Sequence, residues 1–148
     1  MPAGRFGKRA VRTMQRWAAG QRPEMEKHPD SSSRLRSLPP TDTSRVNLML
    51  DIAVNHSLGG RDSLAKRTLE EGINLARRLG FRAGEARARL FWVRVESEYL
   101  ADTPGAEAHL REAERLAKEL GSLSLQGQTY YRRAQLYENI MTKVPEAK

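Results

Sequence analysis

The sequence contains no cysteine. That excludes a disulfide framework, a thiolate-ligated zinc or iron–sulfur centre, and cysteine nucleophile chemistry. Long apolar runs are also missing, and none approaches the roughly 18 residues that a membrane-crossing helix needs. The first residues lack the apolar stretch of a secretory signal core, so the expected setting is cytoplasmic. Histidine is scarce: His28, His56 and His109 lie in three separate segments, and none has a second ligand at metal spacing. His109 stands one turn before Glu112, where a local hydrogen bond accounts for it. His56 falls near an expected helix end, where the dipole favours its charged form. No glycine-rich loop leads into a Lys-Ser/Thr pair, and no serine sits in a Gly-x-Ser-x-Gly elbow. The carboxylate pair Glu70-Glu71 reads as part of a solvated helix face. No catalytic residue, metal-ligand set or cofactor motif emerges, and the chain reads as a non-enzyme.

Acidic residues are nearly absent from the first part of the chain. Residues 1–40 carry nine basic and three acidic side chains, against seventeen and fifteen in residues 41–148. Within 5–18, Phe6, Ala10, Val11, Met14, Trp17 and Ala18 follow helical spacing. Arg5, Lys8, Arg9, Arg12 and Arg16 occupy the other side. This is a basic amphipathic segment. Four readings remain open for it. It suits an anionic membrane with Trp17 and Phe6 as anchors, or nucleic-acid phosphates. It also resembles an Arg-rich, acid-poor import presequence, or it is a solvated tail that folds onto the protein's own apolar groove. Pro23, Pro29, Ser31-Ser32-Ser33 and Pro39-Pro40 follow, and this composition predicts a mobile linker over about 20–42. The expected organisation is therefore a flexible basic arm and linker over 1–42 and a folded domain over 43–148.

After residue 42 every segment has helical periodicity and none alternates as a strand does. Thr41, Asp42, Thr43 and Ser44 offer caps for a first helix over about 43–58, ended by Gly59-Gly60. A second is expected over 62–79 with Asp62 or Ser63 as cap and Gly80 beyond its end. The third covers 83–101, the fourth 104–120 after the Asp102-Thr103-Pro104-Gly105 turn, and the fifth 123–142. The second and fourth resemble each other: Leu69, Leu75, Ala76, Leu79 and Gly80 recur 41 positions later as Leu110, Leu116, Ala117, Leu120 and Gly121. Ala65, Leu69 and Gly72, and again Ala106, Leu110 and Ala113, put small, large and small side chains on one face, where a neighbouring helix can approach closely. The third helix is apolar almost all round, so it should be buried on more than one side.

A repeated two-helix unit of this length is a solenoid signature. Over residues 43–142 the chain resembles tetratricopeptide-repeat proteins, particularly the long-period type with "LARRLG" and "LAKELG" helix ends found in bacterial regulators. Trp92, Val95 and Tyr99 match the large-residue spacing of that family's first helix. Glu96 departs from the pattern, standing where the family prefers a small residue. The resemblance implies an all-α fold of about five helices, as antiparallel hairpins stacked into a short solenoid.

The resemblance further implies a non-catalytic module that binds another protein or a peptide segment on a concave face lined by the first helices of each repeat. The candidate face residues are Asn47, Asp51, Asn55, Arg87, Arg94, Glu98, Gln128 and Arg132, with Arg87 and Arg94 suited to a carboxylate. A regulatory segment of a signalling protein is one form of this reading. The alternative is a nucleic-acid- or ribonucleoprotein-associated accessory protein anchored by the basic arm. The last helix carries Tyr130, Tyr131, Ala134, Leu136, Tyr137, Ile140 and Met141, more apolar surface than one neighbouring face covers. Either a second copy (a homodimer through this helix), a partner or the N-terminal arm covers it, or the helix end is frayed with scattered exposed apolar residues.

Overall fold

The structure, a computed structural model, describes residues 42–143 together with residues 34 and 36–39. The basic segment 5–18, with Arg5, Lys8, Arg9, Arg12, Arg16 and Trp17, lies outside the described residues. Five α-helices follow in order: α1 (Thr43–Leu58), α2 (Asp62–Leu79), α3 (Arg82–Tyr99), α4 (Thr103–Glu119) and α5 (Leu123–Lys143). No strand occurs among the described residues, and no helix there is long and apolar enough to cross a membrane.

The ends of these helices follow from local chemistry. Asp42 accepts from the Ser44 amide at 2.8 Å, and Asp102 accepts from the Gly105 amide at 3.0 Å. Each satisfies one of the free N–H groups of a first turn. At the start of α2 the cap residue is Arg61, with no side-chain bond. Asp62 is already helical there, so its carboxylate acts on the positive end of the helix dipole rather than as the expected cap. Gly80 and Gly121 adopt φ of 66° and 63°, which lets the chain turn back at the end of α2 and again after α4. The Phe81 amide then donates to Ala76 O at 2.8 Å, and 41 positions later the Ser122 amide donates to Ala117 O at 3.0 Å. The sequence repeat is thus also a repeat of helix-end geometry. α3 stops two residues earlier than its periodicity suggests, because Leu100 takes a left-handed conformation with its side chain packed on the core.

Each helix packs on the next, and α3 also contacts α1 and α5, so that it touches all four others. This accounts for its apolar circumference. The small residues serve as expected: Ala65, Leu69, Gly72, Ala106, Leu110 and Ala113 are all buried. Full burial of a leucine such as Leu69 or Leu110 contributes about 2–3 kcal/mol. The main core joins Ala53 to Leu69, Ile73, Leu90, Val93, Leu110, Leu116 and Leu136. A separate, smaller cluster holds Val46 and Met49 of α1 against Leu75 and Ala76 of α2.

Candidate functional site

Residues spaced by four on α1 and α5, and by seven and four on α3, come to one side of their helices. Asn47, exposed on α1, accepts from Arg87 Nη2 of α3 at 2.8 Å. The Arg87 guanidinium also lies 5.7 Å from the centre of the Phe81 ring. Two turns further along α3, Arg94 stacks over Phe91 at 5.3 Å. On α5, Arg132 stacks over Tyr131 at 5.3 Å and donates to Gln135 Oε1 at 3.0 Å. Burial and the nearby Arg94 cation lower the Arg132 pKa from its ordinary value. Arg94 and Arg132 thus stand on two helices that pack on each other, near enough for one charge to act on the other. Among the described residues, no carboxylate forms an ion pair with Arg87, Arg94 or Arg132. Aromatic rings under all three guanidinium groups fix their planes and shield one side of each from water.

The other candidates are less integrated. Gln128 is exposed and donates to Ser124 Oγ at 3.2 Å. Glu98 is exposed, and its backbone carbonyl, not its carboxylate, accepts from Lys143 Nζ at 2.9 Å. Asp51 is exposed and Asn55 half-buried on α1. No described hydrogen bond links either side chain to α3.

A second polar cluster lies inside the molecule, between α2, α3 and α4. Glu96 is completely buried. Its carboxylate pairs with Lys66 of α2 and accepts from the Asp102 amide in the α3–α4 connection. Lys66 Nζ sits 4.5 Å from the centre of the Trp92 ring. On its other side Trp92 meets His109 of α4, with ring centroids 4.5 Å apart. His109 Nδ1 is 3.0 Å from Arg89 Nη1, and Arg89 pairs with Glu85 at 2.8 Å. A guanidinium only donates, so Nδ1 accepts and the imidazole is neutral with its proton on Nε2. Burial first, and then the Arg89 cation, push the His109 pKa down to about 4.

This cluster differs from what local spacing suggests. Glu112 is not the partner of His109, because Arg115 binds its carboxylate. His56 likewise accepts from Arg61 Nε at 3.2 Å, and burial with the Arg61 cation lowers its pKa. It acts as a neutral acceptor rather than a cation on the dipole. The signal available in the sequence was Glu96 itself, a charge between Val93, Val95 and Ser97 on the buried part of α3. Its partner Lys66 stands thirty residues earlier, beyond any local pattern. No group of three or more metal-ligating side chains occurs among the described residues.

Comparison with known proteins finds no matching family model, and no curated protein or solved structure with significant similarity.

Proposed function

We propose that the five helices form a short solenoid of stacked antiparallel hairpins, of the tetratricopeptide type. In this reading the chain is a non-catalytic module that binds an acidic stretch of a partner protein along α1, α3 and α5. The observation that carries the reading is the Arg94–Arg132 pair. Arg94 and Arg132 come from different helices, each near an aromatic ring, with no described carboxylate ion-paired to either, and the Arg94 cation acts on Arg132. Close like charges cost free energy, and an anionic ligand relieves that cost on binding. Guanidinium groups of fixed orientation match carboxylates by paired hydrogen bonds. Arg87, already oriented by Asn47, extends the basic row by two turns.

The test is fluorescence anisotropy of the full chain with a labelled Asp/Glu-rich peptide, against a Lys-rich peptide of the same length. Binding is expected for the acidic peptide alone, weakening as salt rises. Arg94→Glu with Arg132→Glu should reduce affinity at least about 100-fold, since two charge-assisted contacts are lost and two repulsions gained. Circular dichroism should be unchanged. Unaltered affinity in that double variant rejects the assignment of this face.

A further inference from the structure

The outer side of α5 carries an apolar stripe that nothing in the described structure covers. Leu123, Gly127, Tyr130, Ala134, Tyr137 and Met141 are spaced 4, 3, 4, 3 and 4 residues apart. All six are exposed, with Leu123 at 81%, Tyr130 at 55%, Tyr137 at 44% and Met141 at 82%. A Cβ built on Gly127 meets nothing within 4 Å. This is the seam of a coiled coil, an apolar residue every 3.5 positions on average, and it runs about 27 Å along the helix at 1.5 Å per residue.

The same stripe exists 41 positions earlier, where it is occupied. Ala86, Arg89, Val93, Glu96 and Leu100 of α3 correspond to Gly127, Tyr130, Ala134, Tyr137 and Met141 of α5. Ala86, Val93 and Glu96 are completely buried, and Arg89 is in contact with His109 of α4. A helix lies against this position of α3, so the equivalent surface of α5 has the shape to receive one. On α5 the charged residues of that stripe are replaced by Tyr130 and Tyr137.

We infer that the occupant is α5 of a second copy of this chain, running antiparallel across a two-fold axis. The spacing reads the same in both directions, as a two-fold interface requires. The sizes also match when the stripe is laid against its own reverse. Leu123 then meets Met141 of the second copy, Gly127 meets Tyr137, and Tyr130 meets Ala134. Every tyrosine faces a small residue, so the rings fill the space that glycine and alanine leave. In heptad terms each layer pairs an a position with a d position, the pairing of antiparallel helices. Arg133, which flanks the axis, is neutralised within its own chain by Glu114 at 3.3 Å. A helix-pair contact of this length belongs at the small end of specific interfaces, about 1,200 Å² in total, the class of weak, concentration-dependent association.

The stripe lies on roughly the opposite side of α5 from Gln128 and Arg132, at about 100° per residue. The inference is therefore independent of the acidic-peptide reading, and the two can fail separately.

Sedimentation equilibrium of the full chain from about 1 to 500 µM tests it, a range that brackets a micromolar Kd. The mass should rise from monomer to dimer. Ala134→Arg places a charge in solvent in the monomer but against Tyr130 of the second copy in the dimer. It should leave helicity unchanged and hold the chain monomeric throughout. The absence of native cysteine allows the register to be read directly. Tyr130→Cys and Ala134→Cys chains, each oxidised alone, should not cross-link, whereas their mixture should give the mixed disulfide. A monomer at every concentration overturns the proposal, whether the stripe is bare or covered by residues 1–33 of the same chain. Dimers that survive Ala134→Arg, or that cross-link like to like, overturn the surface or the register.

Discussion

Glu96 carries a charge into a place where no water reaches it, and it is held there from two directions. Lys66 supplies the balancing cation from α2, and the Asp102 amide donates from the start of the next connection. One carboxylate thus ties three successive segments. Lys66→Met should cost about 3 kcal/mol in urea unfolding, because the uncompensated buried charge, not the lost attraction, sets the penalty. Converting Glu96 to Met as well should recover part of that loss; a Lys66→Met effect below about 1 kcal/mol would show that the carboxylate has another source of compensation. His109 gives this region a pH dependence. Its imidazole titrates near 6.5 when unfolded and at about 4 when folded. Between those values the unfolded chain binds a proton that the folded chain does not, so stability falls as pH drops from about 6.5 towards 4. Protonation there also forfeits the Arg89 bond to Nδ1 and adds a third cation near Arg89 and Lys66. His109→Asn keeps an acceptor without titrating, and it should flatten the melting temperature across this window; an unchanged slope would assign the effect elsewhere. None of this was legible locally, since His109 reads on its own helix as a neighbour of Glu112. Only the packing of α4 on α3 turns it towards Arg89.

At the scale of the element, the sequence was far more informative, because helix boundaries depend on neighbours one to four positions away. Gly59-Gly60, Gly80 and Gly121 mark ends that the structure places within a residue of expectation. The exceptions have physical causes: Arg61 precedes Asp62 as the cap, and Leu100 accepts a φ of 52° to seat its side chain. Glycines in this chain therefore divide by backbone conformation. A Cβ at Gly80 meets open space, but the left-handed φ makes alanine there cost about 1–2 kcal/mol. In a single copy a Cβ at Gly127 also meets open space, within an ordinary helical turn, so alanine should stabilise α5 of the monomer by about 1 kcal/mol. Thermal melts of Gly80→Ala and Gly127→Ala should shift in opposite directions. Shifts of one sign would mean that conformation is not what separates the two sites.

The whole molecule is organised around α3, the only described helix in contact with all the others. Its apolar residues on several sides announced burial against more than one neighbour, and the 41-residue recurrence announced the matching helix ends at Gly80 and Gly121. What the sequence did not announce was the electrostatic influence of Arg94 on Arg132. The two residues are 38 positions apart, and one acts on the other only because α5 packs against α3. The core is also uneven, and this has a consequence for unfolding. The main cluster runs through α3 and draws on every helix, while the first half of α1 is held chiefly by Val46 and Met49 against Leu75, Ala76, Leu79 and Phe81. That half is tied to the centre by Leu50 and by the Asn47–Arg87 hydrogen bond, fewer links than α3 has, so it should open before the rest. Native-state hydrogen exchange should therefore give the amides of Leu90 to Val95 protection equal to global unfolding, and those of Val46 to Leu50 a smaller value. Val46→Ala should deepen the difference by about 2 kcal/mol, with α4 amides unaffected at low denaturant. Equal protection in α1 and α3 would mean that the small cluster and the main core open together, and that the five helices behave as one cooperative unit.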